Sequence, residues 1–414
     1  MRIYLAPCGM GVGHISRCKA IADMSIERGW SVYVSTYSDG LEYASRLDYP
    51  IVETVPLGLK RNSDGGIDFR LTAATSPGFF QGLWSILRQI VTEIRNIQRV
   101  NPAIVISDSR ASSLIAARLL NVPSIAILNQ FNVKLVRRPS KRHLGPLEKV
   151  FFLVANTVWF FVNPIIGEFW SFADKILIPD LPPPFTISSD NLTIPKSCAH
   201  KVEFIGPLLE RISADPSKFA ARQKLGYAVW KPLILVPITT SLNEGSGFVT
   251  RIKNALEGLP ERYQVVMSKG RLSDLTEVQR RNNLTVYNWI LDPDIWLEAC
   301  DLVVCRAGHL TILSSLAYGR PMIIIPIPDH PEQLGNARRA FELGVAEILT
   351  ADALTAERFL PMTDTVLNSS DYVENASKVG ELTRRMRGTE RVIAVIERLS
   401  RRREVACRVC LESW

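Results

Sequence analysis

The sequence predicts an α/β protein made of two doubly wound domains that face each other across a cleft. Three observations carry this expectation. Apolar runs of strand length alternate with helical stretches. The alternation occurs twice, once before and once after Lys231-Pro232. The chain has 414 residues, too many for one ordinary core.

The elements follow in order. Residues 2–7 and 31–35 read as strands around a helix from about Ile15 to Arg28, which Gly29 stops. Leu83, Leu87, Ile90, Ile94 and Ile97 recur at helical spacing, predicting an amphipathic helix. Residues 103–107 and 124–128 are continuous apolar runs, as parallel strands covered on both faces require. The second series has strands at 233–238, 264–267, 301–305 and 322–327. The expected division is 1–210, a linker at 211–230, a second domain at 231–370, and a helix with a basic tail at 371–414. Ligands belong where the carboxyl ends of both sheets border the cleft.

Composition narrows the class. Apolar residues at 47% and charged residues at 22% exclude a disordered chain. The net charge of +8 favours an anionic partner, which nucleic acid, anionic lipid or a phosphorylated substrate would satisfy. The arginines of the tail, Arg384 to Arg403, belong to no recognisable nucleic-acid module, so no nucleic-acid partner is expected. Seven cysteines form no framework, and Cys407 and Cys410 lack the second pair that a zinc site needs. With no leader at Met1–Pro7, a reducing cytoplasmic location is expected.

The apolar stretch between Lys149 and Glu168 approaches a membrane span, but Asn156, Asn163 and Pro164 interrupt it. A buried or surface-lying helix is the expectation. From Ser109 to Leu147, just before it, there is no acidic residue, while Arg110, Arg118, Lys134, Arg137, Arg138, Lys141 and Arg142 accumulate. That suits peripheral docking on an anionic membrane face; the alternative is a solvated loop before a packed helix.

Two constellations carry chemistry. The first is Cys8-Gly9-Met10-Gly11-Val12-Gly13-His14, between a strand and a helix. Its glycines allow close backbone approach, and the helix start offers unpaired N–H groups to an anion. A dinucleotide fingerprint would need glycine where His14 stands and an acid ending strand two. Asp39 lies beyond that strand in a turn, so a dehydrogenase is disfavoured. His14 at a helix start at the cleft mouth is a candidate base. The alternative is that it caps the helix or bonds a phosphate.

The second constellation is Cys305-Arg306-Ala307-Gly308-His309-Leu310-Thr311, a turn after a strand and before a helix that Gly319 and Pro321 end. Arg306 could reinforce a diphosphate seat there. Beyond the next strand come Pro328-Asp329-His330-Pro331-Glu332-Gln333-Leu334-Gly335-Asn336-Ala337, polar groups suited to sugar hydroxyls. The Arg-Ala-Gly turn, the Gly-x-Pro stop, the Glu-Gln-x-x-Asn-Ala motif and the Gly-x-Gly-x-Gly-His loop together resemble the GT-B glycosyltransferases. The likeness is to the bacterial peptidoglycan GlcNAc-transferase and the UDP-glucuronosyltransferase-type enzymes, and it runs nearly end to end.

The resemblance implies two Rossmann-like domains, and a sugar passed from a nucleotide-sugar donor, a UDP-sugar, to a hydroxyl or phosphate of an acceptor that can be lipid-linked. By it, Gly308, Thr311 and the N–H groups between them hold the donor diphosphate with Arg306 or His309 beside them. Glu332 and Gln333 grip the donor sugar. Trp289 and Ile290 lie where the family clamps its base, a core aromatic being the alternative for Trp289. Gly11, Gly13 and Asn129 belong to the acceptor and diphosphate loop. Ser314 stands where the family has a ribose-binding glutamate, and Asn129-Gln130 where the peptidoglycan enzyme has an acid before glutamine.

Inverting displacement needs a base. His14 is the first candidate, and Asp108, just after a strand, is the second or the orienter of His14. No carboxylate pair demands a metal, so neither metal nor cofactor is expected. The rival readings are a GT-B-like UDP-GlcNAc 2-epimerase and a silent membrane scaffold for a partner transferase.

Overall fold

A computed structural model describes residues 1–57, 78–131, 145–146, 149–150, 153–154, 157, 167–210, 212, 217–238, 246–271 and 278–412, with backbone alone at 78–83, 246 and 402–412. Lys134, Arg137, Arg138, Lys141, Arg142 and most of the apolar stretch after Lys149 lie outside the described residues.

The amino-terminal half contributes strands β1 (Arg2–Pro7), β2 (Ser31–Thr36), β3 (Ile51–Glu53), β4 (Ile104–Asp108), β5 (Ser124–Ile127), β6 (Lys175–Ile178) and β7 (Val202–Phe204). They form one sheet in the order β3-β2-β1-β4-β5-β6-β7, every pair parallel. Ile3, Leu5, Ile104, Ile106, Ile125 and Ile127 are fully buried. A strand covered on both faces cannot alternate polar and apolar residues, which is why these runs are continuous. Helices α1 (Gly13–Ile26), α2 (Ser38–Ala44), α3 (Gly78–Val100) and α4 (Ala111–Leu119) accompany this sheet.

The second half repeats the plan with β8 (Leu233–Pro237), β9 (Gln264–Ser268), β10 (Val278–Arg281), β11 (Leu284–Tyr287), β12 (Leu302–Cys305), β13 (Met322–Ile324) and β14 (Ala346–Ile348). The order is β10-β11-β9-β8-β12-β13-β14, parallel except for the antiparallel edge pair β10–β11. Its helices are α5 (Lys218–Leu225), α6 (Ser246–Glu257), α7 (Pro293–Ala299), α8 (His309–Ala317), α9 (Pro331–Glu342), α10 (Ala356–Asn368), α11 (Ser370–Met386) and α12 (Gly388–Glu412). Two parallel sheets with their own helices are the predicted α/β architecture. Among the described residues no helix is long and apolar enough to cross a membrane.

One element departs from the periodicity reading. In α3 the side chains turned inward are Gln89, Glu93, Ile97 and Val100, whereas Leu87 is exposed with Trp84, Ile86 and Val91. The sheet offers Glu93 polar partners, so a carboxylate displaces the expected apolar contact. The tail is helical and packs across the domains. Helix α11 packs on α8, and α12 crosses to the first domain, where Val392, Ile393, Val395 and Ile396 join a core with Ile3, Leu5 and Ile15. The backbones of Gly206 and Gly388 meet at this crossing, where a Cβ on Gly388 would stand 2.4 Å from the Pro207 carbonyl oxygen. A further link leaves the end of β6. Leu181 and Ile187 enter the second domain's core, while Arg338 and Arg339 of α9 hold Asp190 and the carbonyls of Pro184 and Thr186.

Candidate active site

The sequence-predicted residues gather at the carboxyl ends of strands, where side chains leave a parallel sheet without blocking its ladder. Helices α1 and α8, each opened by one of the two glycine turns, touch each other.

In the first turn Gly9 packs on backbone. A Cβ there would lie 2.0 Å from the Tyr37 carbonyl oxygen. We expect Gly9→Ala to cost about 1–3 kcal/mol by overpacking, measured by denaturant unfolding; an unchanged midpoint would contradict the contact. Gly11 takes φ +81°, a left-handed conformation that suits glycine. Its N–H donates to Asp39 Oδ2 at 2.8 Å. Asp39 thus braces the loop, a local duty unlike ribose binding by a dinucleotide enzyme. No side chain caps α1, and Gly13 has open space around it, leaving the helix start available.

His14 Nδ1 lies 2.8 Å from Asp108 Oδ1 and 2.8 Å from Arg17 Nη2. Arg17 also grips the buried Asp108 carboxylate, Nη2 to Oδ1 at 2.6 Å and Nε to Oδ2 at 2.9 Å. Burial raises the Asp108 carboxyl, but Arg17 and then His14 outweigh it and hold it below the usual carboxylate range. An ionised acceptor wants donors, and Arg17 Nη2 already points a hydrogen at Oδ1. Nδ1 can meet Asp108 as a donor or Arg17 Nη2 as an acceptor; with the hydrogen on Nδ1 the ring donates to Asp108 and Nε2 keeps its lone pair. The His14 side chain is 22% exposed while Asp108 is fully buried, so the dyad shows only its basic end.

The second turn sits opposite. Ala307 takes φ +62°, and Asn336 Nδ2 donates to its carbonyl at 3.2 Å, fixing the entry to α8. Gly308 is the uncapped first position, with Thr311 Oγ1 3.6 Å from where its Cβ would be. Ile312, Leu313, Leu316 and Ala317 are fully buried, as their helical spacing predicts. Arg306 is buried with its guanidinium 3.7 Å above the Phe248 ring. Glu332, second residue of α9, faces the first domain: it accepts from Asn129 Nδ2 at 2.9 Å and acts on Arg17.

Three expected residues point elsewhere. His309 Nε2 meets Asp180 Oδ2 at 3.0 Å in a buried pair. Burial raises the Asp180 carboxyl, but His309 and Ser188 outweigh it and keep it low. Trp289 packs toward the first domain's core, its ring 6.0 Å from that of Tyr43, rather than standing free to stack a base. Gln333 Oε1 accepts the Ile327 N–H at 2.9 Å, a local brace. Ile290 is buried and Ser314 is half-buried. The residues missed by sequence reading are Arg17, whose polarity on a helix face gave no hint of Asp108, and Asp180. Among the described residues no three His, Cys, Asp or Glu side chains gather as metal ligands.

Comparison with known proteins bears on the fold and the class of activity. Residues 239–391 match the glycosyltransferase family 28 C-terminal domain. An uncharacterized glycosyltransferase of Methanosarcina mazei is 25% identical over 411 residues, covering 96% of this chain and 98% of that one. The UDP-N-acetylglucosamine–N-acetylmuramyl-(pentapeptide) pyrophosphoryl-undecaprenol N-acetylglucosamine transferase of Legionella pneumophila is 28% identical over 203 residues, 48% of this chain and 54% of that one. The solved glycotransferase of kitacinnamycin superposes with a TM-score of 0.64 at 18% identity, over 96% of this chain and 98% of that one, which shows the shared GT-B fold. The chain is a glycosyltransferase of the GT-B fold, similar over residues 239–391 to the glycosyltransferase family 28 C-terminal domain.

Proposed function

We propose that the chain moves a hexosyl or N-acetylhexosaminyl group from a UDP-sugar to a hydroxyl or phosphate of an acceptor, inverting the anomeric carbon. The supporting observations are the His14–Asp108 dyad and the contact of its helix α1 with α8, which the Gly308 turn opens. His14 Nε2 takes the acceptor proton as its oxygen bonds to the anomeric carbon. The bond from that carbon to the diphosphate oxygen breaks, and the electron pair leaves with the nucleoside diphosphate. The N–H groups opening α8, with Arg306 behind them, oppose the growing charge. Neither metal nor cofactor is required by these steps.

A thermal-shift panel of nucleotide sugars tests the class. UDP-sugars are expected to raise the melting temperature and NAD to leave it unchanged. A panel in which no nucleotide sugar binds would favour a silent scaffold.

The acceptor is proposed to be lipid-linked and the protein peripheral on the cytoplasmic face of a membrane. Trp84, Leu87 and Val91 form an exposed apolar stripe along α3, and Val150, Leu153 and Val154 are exposed as well. The Legionella transferase has a pyrophosphoryl-undecaprenol acceptor by its name. Flotation with anionic vesicles, lost in high salt, is the expected behaviour; recovery wholly in the unbound fraction at low salt would leave a water-soluble acceptor.

A further inference from the structure

Glu332 lies where the proposed donor sugar is read, yet one of its oxygens is already taken by the opposite domain. Asn129, two residues beyond β5, gives it the Nδ2 hydrogen at 2.9 Å. Asn129 is 3% exposed, and its own Oδ1 has no hydrogen-bond partner among the described residues. A buried amide oxygen without a donor is costly, and a ligand hydroxyl would satisfy it. The placement of Asn129 is set by a short circuit of contacts. Phe131 N–H donates to the Asn191 carbonyl at 3.0 Å, and the neighbouring Asp190 is held by Arg338 of α9. Asn129 and Glu332 are therefore registered against each other from both sides.

Resting on the donor reading above, we propose that Asn129 is a positioning and specificity-determining residue for the donor sugar, supplied by the domain that does not hold the nucleotide. Its Nδ2 fixes Glu332 through Oε1, so that Oε2 accepts one sugar hydroxyl. Its Oδ1 accepts a second. Because the bond spans the cleft, the sugar is read only when the domains are closed on each other. The nucleoside diphosphate, seated on the second domain, is bound without this bond. An amide suits the position, because Nδ2 offers a hydrogen to the carboxylate while a separate atom, Oδ1, accepts from a hydroxyl.

The test compares binding of UDP with binding of UDP-GlcNAc and UDP-glucose by calorimetry, in the wild type, N129D and N129A. N129D sets a carboxylate against Glu332. The ratio of Kd for the UDP-sugar to Kd for UDP is expected to rise about tenfold in N129D, and less in N129A, with Kd for UDP unchanged. UDP reports the diphosphate seat and the fold together, so a merely structural role would weaken both ligands and overturn the proposal. An unchanged ratio in both variants, beside a wild type that binds a UDP-sugar, would overturn it while leaving the donor reading intact. A wild type that binds neither UDP-sugar would end both.

Discussion

Replacing His14 with alanine is expected to lower turnover by about 100-fold or more, with binding of the nucleotide sugar retained. The expectation rests on the asymmetry of the dyad. Asp108 is fully enclosed and bidentately held by Arg17, so it cannot itself reach an acceptor hydroxyl. Only the imidazole is open to the cleft. Asp108 is therefore the orienter, and its substitution by asparagine should lower turnover as well. An amide in that place can donate to Nδ1 and favour the wrong tautomer, turning the Nε2 hydrogen toward the acceptor. Single-turnover rates with saturating donor separate this from a binding defect. His14→Ala at wild-type rate would remove the base from His14 and leave that residue to bond a phosphate.

The dyad was half readable before the fold was known. A histidine following a glycine loop announces itself by position, and a strand ending in Ser-Asp puts Asp108 at a sheet's carboxyl end. The strands β1, β4, β5, β8, β9 and β12 were readable because burial on both faces makes them continuous apolar runs. Three-residue strands such as β3, β7 and β14 carry too few side chains to show a pattern. What linear reading cannot supply is partnership. His309 directly follows Gly308 at the opening of α8, yet Asp180, 129 positions earlier, claims its ring. Trp289 carries no mark of which domain it will pack against; Tyr43 decides that. Glu332 was expected to grip the donor sugar with Gln333, and Asn129, 203 positions away, binds its carboxylate. These pairings are made by domain packing, and periodicity speaks only to the face each element shows its own sheet.

Glu93 is the clearest case, and it carries the second large expectation. Its charge argues for the solvent side of α3, yet it stands three residues after Ile90 and four before Ile97 and is fully buried, accepting from Tyr4 Oη at 2.9 Å and Ser35 Oγ at 2.9 Å. Arg110 Nη2 lies 2.6 Å from its Oε2, and the same guanidinium donates to the Ser35 carbonyl at 2.8 Å. Glu93→Ala would leave Arg110 charged, enclosed and unpaired, and strip two hydroxyls of their acceptor. Losing one partner of such a pair costs about 3–5 kcal/mol. For a domain of this size that is a fall on the order of 10 °C in melting temperature, followed by calorimetry. Glu93→Gln keeps an acceptor for the hydroxyls and should fall less. The double variant Glu93→Leu with Arg110→Met removes both charges together, and should recover much of the loss because desolvation of the pair is then no longer owed. If the single and double variants melt together at the wild-type temperature, the pair contributes nothing to the fold. If they melt together far below it, the network is needed for its hydrogen bonds rather than its charges. The recovery also bears on the cleft, because Arg110 lies two residues past Asp108 and its Nη1 is 3.4 Å from the Pro7 carbonyl beneath the glycine loop. A domain that regains stability without this anchor should hold Asp108 less firmly, so the double variant is expected to fold well and turn over more slowly than the wild type.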